Sequence, residues 1–132
     1  LMPIHPRTRN ILEKQNINLH KNIKILDPVG YLEMIYLIKK SYCIMTDSGG
    51  LQKEAYFFKK ECITIRKETE WTELITQGYN TLVGCNQNKI KKAYLNIGKK
   101  DLDFSKDLYG KGKACKKIVK LLNKLFIDKK SY

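Results

Sequence analysis

The chain has 132 residues, enough for one domain with its own core and too few for two ordinary ones. Its net charge of +13 rests on 26 basic residues, 23 of them lysines scattered over the whole sequence, and no arginine stripe with interleaved aromatics marks a specific nucleic-acid face. No apolar run is long enough to span a bilayer, and Cys43, Cys62, Cys85 and Cys115 form no Cys-x-x-Cys pair, so free thiols in a reducing compartment are expected, three of them in or beside buried strands.

Leu1 to Ile4 reads as a short strand, ending in the polar cluster His5-Pro6-Arg7-Thr8-Arg9, with a helix through about residue 15. Because the first residue is Leu1 rather than Met and already belongs to a strand, the chain is expected to be a piece of a longer protein. Ile23 to Leu26 is a second strand, closed by Asp27-Pro28 and Gly30. Tyr31, Met34, Ile35 and Ile38 recur at helical spacing, which predicts an amphipathic helix over residues 31 to 40. Tyr42 to Thr46 is a third strand. Cys62 to Arg66 is a fourth, followed by a helix with Thr69 as its cap. Thr81 to Val83 is a fifth, and Ile90, Ala93, Tyr94 and Ile97 mark the helix after it. Residues 98 to 105 have no clear period. Ala114, Ile118, Leu121, Leu122 and Leu125 form a strong final stripe with lysines opposite.

Short apolar strands alternating with helices specify an α/β fold, a Rossmann-like parallel sheet with helices on both faces. Ligands of such sheets bind outside the carboxyl ends of the strands. Four polar clusters fall there: His5 to Arg7, Asp27 to Tyr31, Asp47 to Glu54 and Arg66 to Glu73. The third is the most telling. A strand runs into Asp47-Ser48-Gly49-Gly50 and straight on into a helical pattern, which aims unpaired N–H groups at an anion. Gly49 and Gly50 let a phosphate approach bare amides, and Ser48 adds a hydroxyl. Leu51, Ala55 and Phe58 line the apolar stripe of this helix. Glu54 lies on its edge, where a carboxylate needs a partner such as a pair of ribose hydroxyls.

Taken together, Pro-Ile-His-Pro-Arg-Thr-Arg at 3 to 9, Thr-Asp-Ser-Gly-Gly-Leu-Gln-Lys-Glu-Ala at 46 to 55, Arg66-x-x-Thr69-Glu70-x-x-Glu73, Asn80-x-Leu82-Val83-Gly84 and Tyr109-Gly110-Lys111-Gly112-Lys113-Ala114 resemble the non-hydrolysing UDP-N-acetylglucosamine 2-epimerases. The resemblance runs from Pro3 to about Leu125 and implies that residues 1 to 132 are the C-terminal, nucleotide-binding lobe of a two-lobed GT-B fold. It implies inversion at C2 of UDP-GlcNAc to give UDP-ManNAc, by elimination and re-addition of UDP, in the cytoplasm and in the service of cell-surface polysaccharide synthesis. Neither metal nor cofactor is required.

Carried over residue by residue, the amides of Ser48, Gly49 and Gly50 would hold the diphosphate, and Glu54 the ribose. The loop from Pro28 to Tyr31 would flank the uracil. His5 would stand at the reacting centre, with Arg7 in the substrate site beside it, and Arg66, Thr69 and Glu70 would meet the sugar-phosphate end. The partners implied are a UDP-sugar, the missing N-terminal lobe that carries the acid and base groups for the C2 proton, and a second copy in a homodimer; no membrane and no specific nucleic acid are expected. Lys59-Lys60-Glu61 departs from the Gly and Pro usual in the family, so a looser helix-strand connection is expected there. Two other readings fit: a GT-B glycosyltransferase or hydrolysing-epimerase lobe, and a non-catalytic polyanion-binding module that draws on the lysine surface.

Overall fold

The computed structural model describes residues 1–128. Its elements run in the order β1 (Met2–Pro3), α1 (Pro6–Lys14), β2 (Ile25–Leu26), α2 (Tyr31–Lys40), β3 (Ile44–Thr46), α3 (Gly49–Phe57), β4 (Cys62–Thr64), α4 (Thr72–Thr76), β5 (Asn80–Leu82), α5 (Gln87–Leu95) and α6 (Ala114–Asp128), with a 3-10 turn at Gly110–Gly112. Every strand pairing is parallel, as expected. None of the described helices is long and apolar enough to cross a membrane.

The hydrogen-bonded ladder is split, however. β1 pairs only with β2, and β3, β4 and β5 form a separate group in that order. Pro3 contributes to the break. Met2 N donates to Lys24 O and Ile4 N donates to Leu26 O, so the alternation of the ladder turns Pro3 to the opposite edge, and proline has no N–H to give. On the facing edge, Ile44 N donates to Glu61 O and Thr46 O accepts from Ile65 N, which leaves the backbone of Met45 toward β1. A groove of about 430 Å³ lies between, lined by Leu1, Pro3, Ile44, Met45 and the end of α2. The chain therefore winds outward through β1 and β2, returns, and winds the other way through β3, β4 and β5. This reversal is a topological switch point, the place where open α/β sheets hold their ligands.

Side chains alternate across β4 with period two. Cys62 packs on one face with Ile38, Ile44 and Ala55, beneath α2 and α3. Ile63 packs on the other with Val83, Ala93 and Ile97, beneath α5. Helices thus cover both faces. A third cluster is aromatic: Tyr56, Leu74 and Tyr79 are joined by Trp71, Leu102, Phe104, Leu108 and Tyr109. Tyr56 donates to the Lys106 carbonyl and Tyr79 to that of Asp103, so the stretch after α5 is strapped down by single anchors rather than by a helix or strand.

Three expectations need correction. Cys62 is buried and its thiol is pushed up to about 12 by desolvation, but Cys85, expected beside a buried strand, is exposed, as is Cys115 on α6. The helix after β4 starts at Thr72, not after Thr69, because the Thr69 hydroxyl accepts from Trp71 N at 3.2 Å and holds a turn there first. The connection at Lys59-Lys60-Glu61 is not loose: Lys60 N donates to Ala55 O and Lys59 N to Tyr56 O, the two bonds of a Schellman close. Its cost is that Lys59 adopts φ 57, a left-handed conformation that suits glycine. Lys59→Gly is accordingly expected to raise the unfolding free energy by about 1 kcal/mol, read from urea denaturation midpoints.

Among the described residues nothing covers the stripe of α6. Ile118, Val119, Leu121, Leu122, Leu125 and Phe126 are between 47% and 65% exposed.

Candidate functional site

The site is built at the carboxyl end of β3. Thr46 Oγ1 accepts from Ser48 N at 3.0 Å, which bends the chain out of the strand. Ser48 is then the N-cap of α3, its hydroxyl accepting from Leu51 N at 3.5 Å. The consequence for anion binding is specific. The Ser48 amide, expected among the phosphate donors, is engaged by Thr46, whereas the N–H groups of Gly49 and Gly50 have no partner among the described residues.

The two glycines do different work. Neither needs a positive φ, since both belong to α3. At Gly49 a β-carbon would stand 2.1 Å from Glu70 Oε1 and 3.6 Å from Trp71 Nε1, so the missing side chain makes room for the loop after β4. At Gly50 the nearest atom is Ser48 Oγ, 4.0 Å away, and the remaining space is open. Only Gly50 leaves its face free for a ligand.

One turn further along α3, Glu54 is partly buried, and its carboxylate has neither a hydrogen bond nor an ion pair among the described residues. The expected Leu51-Ala55-Phe58 stripe packs into the core beneath α2, with Ala55 buried, and the same helix also buries Gln52 and Tyr56 on the side toward the loop after β4. The loop after β4 closes over the turn. Arg66 Nη1 lies 3.0 Å from Glu70 Oε2, so the guanidinium and carboxylate are paired beside Gly49. Thr69 is not free to meet a ligand as it stands: its hydroxyl donates to Gln52 Oε1 at 2.7 Å and accepts from Trp71 N.

The remaining expected residues stand across the groove. His5 follows β1 and is the N-cap of α1, with Nδ1 accepting from Arg7 N at 3.2 Å. In the neutral ring the proton is thereby placed on Nε2, a donor open to solvent. Arg7 is exposed in the first turn of the same helix, and Arg9 behind it is tied to Asp27 at 2.7 Å. Pro28 and Tyr31 follow β2, where Glu33 Oε2 accepts from Gly30 N at 2.5 Å to start α2. Among the described residues no hydrogen bond or ion pair joins these four to the Ser48 turn. They share its rim because β1 and β3 face each other across the switch point.

Sequence reasoning passed over Gln52, Lys53, Trp71 and Tyr109. Lys53 Nζ lies 4.1 Å from the Trp71 ring centre and 4.3 Å from that of Tyr109, and Tyr109 donates to Glu73 Oε1 at 2.6 Å. The Tyr109 bond, then a bond from the Glu73 backbone N–H, and last the Lys53 charge, hold the Glu73 carboxyl below its ordinary range. A depressed carboxylate stabilises the fold above its unfolded value and ceases to do so as pH falls through the folded one. Glu73→Gln should therefore lower the melting temperature at neutral pH, with the gap to the parent chain closing as pH falls below the ordinary carboxylate range in a melting series. Gln52 stands beside apolar helix positions as a polar side chain that needs partners, but those partners, Thr69 and Asn80, lie far away in sequence.

The family model for UDP-N-acetylglucosamine 2-epimerase matches residues 1–123. The chain belongs to the UDP-N-acetylglucosamine 2-epimerase family. Among relatives of this epimerase-family chain, the UDP-2,3-diacetamido-2,3-dideoxy-D-glucuronate 2-epimerase of Pseudomonas aeruginosa is 47% identical over 126 residues, covering 95% of the chain and 35% of the relative. The UDP-N-acetylglucosamine 2-epimerase of Methanocaldococcus jannaschii is 42% identical over 92% of the chain and 34% of its own length. The crystal structure of that epimerase in complex with UDP-GlcNAc and UDP superposes with a TM-score of 0.80 over 92% of this chain and 34% of that one. The Neisseria meningitidis epimerase bound to UDP-GlcNAc gives 0.67 at 30% identity, over 92% of this chain and 35% of its own. The chain spans about a third of the length of the curated relatives it matches.

Proposed function

We propose that this chain is the C-terminal, nucleotide-binding lobe of a UDP-N-acetylglucosamine 2-epimerase with a GT-B fold, and that it supplies the half of the cleft that holds UDP. The observation that carries the reading is the start of α3: two unpartnered glycine amides at a helix N-terminus, with an unpaired Glu54 one turn along the same face of the cleft. A diphosphate takes up the amides and the positive end of the helix. Gly50 and Glu54 are about 6 Å apart along the helix axis, so the ribose of the same nucleotide reaches the carboxylate.

In the epimerisation, a base in the other lobe removes the C2 proton, the C1–O bond breaks, and its electron pair leaves with UDP. Re-addition of UDP and return of the proton on the opposite face complete the inversion. The negative charge that develops on the diphosphate needs donors fixed in advance. Gly49 and Gly50 provide two, the Nε2–H of His5 a third from the β1 side, and Arg66 a fourth once it leaves Glu70. Arg7, Pro28 and Tyr31 complete the wall toward the sugar and uracil, with Glu70 and Thr69 behind Arg66.

The apolar stripe of α6 supports the same reading, since burying it needs a surface that the described residues do not offer. We assign that surface to the N-terminal lobe, and place the complete enzyme in the cytoplasm as a homodimer that acts on cell-surface sugar precursors. The 47% identity to the diacetamido-glucuronate epimerase favours a second reading of the sugar. Both substrates share UDP and a 2-acetamido group, so this lobe serves either. Mixing the chain with the N-terminal lobe of a relative and following C2 proton exchange by NMR tests the assignment. Exchange in UDP-GlcNAc supports it, exchange in the diacetamido-glucuronate sugar alone shifts it to the second reading, and salt-sensitive binding of DNA with no UDP binding contradicts both.

A further inference from the structure

Gln52 is wholly buried in α3, at 0% exposure, and every polar group of its amide that is in contact points to a different part of the chain. Nε2 donates to the Ser48 carbonyl at 3.3 Å. Oε1 accepts from Thr69 Oγ1 at 2.7 Å and from Asn80 Nδ2 at 3.3 Å. This orientation of the amide is fixed by its neighbours. Turned over, Nε2 would face the Asn80 amide protons while Oε1 met the Ser48 carbonyl oxygen. Asn80 is itself 2% exposed, its Oδ1 has no partner among the described residues, and the bond to Gln52 is the one recorded there for its amide. A second tie runs parallel: Trp71 Nε1 donates to Gly49 O at 2.8 Å, beneath the Lys53 ammonium that lies on the same ring.

These contacts bind two segments that meet only at the rim of the sheet, the Ser48–Gly49 turn and the loop from Arg66 to Trp71. We propose that Gln52 and Trp71 are positioning residues for the diphosphate: they lock the turn to the loop, so that the Gly49 and Gly50 amides and the Arg66 guanidinium are presented to the ligand as one rigid piece. This deepens the nucleotide reading above and rests on it. Neither side chain needs to touch the ligand. A buried glutamine is suited to the task because it offers a donor and an acceptor at once, which glutamate and methionine of similar volume do not.

The test uses the 132-residue chain and two probes, UDP and uridine, titrated by NMR with thermal unfolding in parallel. Gln52→Met keeps the bulk of the side chain and loses all three bonds. Trp71→Phe keeps an aromatic face for Lys53, on a smaller ring, and removes the indole N–H. Each is expected to weaken UDP about tenfold while uridine, which reaches Glu54 without using the glycine amides, stays within about twofold. Equal losses for UDP and uridine would mean that the bonds serve the fold alone, and would overturn the proposal. Unchanged UDP affinity in Trp71→Phe overturns it even where Gln52→Met does not fold. Failure of the folded parent chain to bind UDP overturns the nucleotide reading and the proposal together, whereas UDP bound alike by parent and variants overturns only the positioning role.

Discussion

Replacing Glu54 by alanine is expected to weaken UDP binding about 30-fold and to leave the melting temperature of the chain nearly unchanged. The carboxylate makes no bond within the described protein, so its loss removes nothing from the fold beyond its packing. Bound to a ribose it would accept two hydroxyl protons as charge-assisted bonds, together worth about 2 kcal/mol when the competing water is counted. The control is a nucleotide lacking a 2′-hydroxyl. The parent chain should prefer UDP over its 2′-deoxy form, and Glu54→Ala should bind the two alike. Isothermal calorimetry of the four pairings reads both effects, and a variant that still distinguishes the two sugars would move the ribose elsewhere.

The second large effect has opposite signs in folding and in binding. Gly50→Ala places a methyl group where nothing stands within 4 Å but Ser48 Oγ, in the first turn of α3, and alanine is the better helix residue by roughly 0.5–1 kcal/mol. The melting temperature should rise slightly. The same methyl occupies the face from which a phosphate reaches the amides, so UDP affinity should fall at least about 30-fold, by the close approach that only glycine permits. Substitution at Gly49 acts otherwise. Its methyl would displace the Glu70 carboxylate, the flexible end of a side chain, and so disturb the Arg66–Glu70 pair rather than cover the amides. A variant of Gly50 that lost stability and kept UDP would contradict this division of labour.

The parts of the fold that depend on neighbours in sequence could be read from the sequence. α2 is bounded at Tyr31 and Lys40 as its stripe requires, because Tyr31, Met34, Ile35 and Ile38 recur at helical spacing up to the point where Ser41 turns extended. The parallel strands followed from their apolar runs, and the anion turn from Ser-Gly-Gly at a strand end. What depends on distant residues was hidden. Gln52 is decided by Thr69 and Asn80, 17 and 28 positions away, and no local pattern registers that. Residues 98 to 105 lack a period because Leu102 and Phe104 are anchored singly into the aromatic cluster. The break between β1 and β3 was visible in principle as Pro3, but its meaning required knowing which edge that residue faces. α6 was legible as a helix and silent about its partner, since the stripe specifies a buried face and not what buries it.

The helix at Ser48 also reconciles the lysine surface with a specific site. A net charge of +13 attracts any polyanion through a screened field, whereas the glycine amides act only at contact. The two are separable by salt and by position. The most direct measurement is therefore a nitrogen-15 NMR titration of the chain with UDP at moderate and at high salt. The account predicts saturable shifts centred on the Gly49 and Gly50 amides and along α3 to Glu54, with the same centre at both salt concentrations. Shifts spread over the lysine-bearing faces of α5 and α6, absent at Gly49 and Gly50 and abolished by salt, would contradict it.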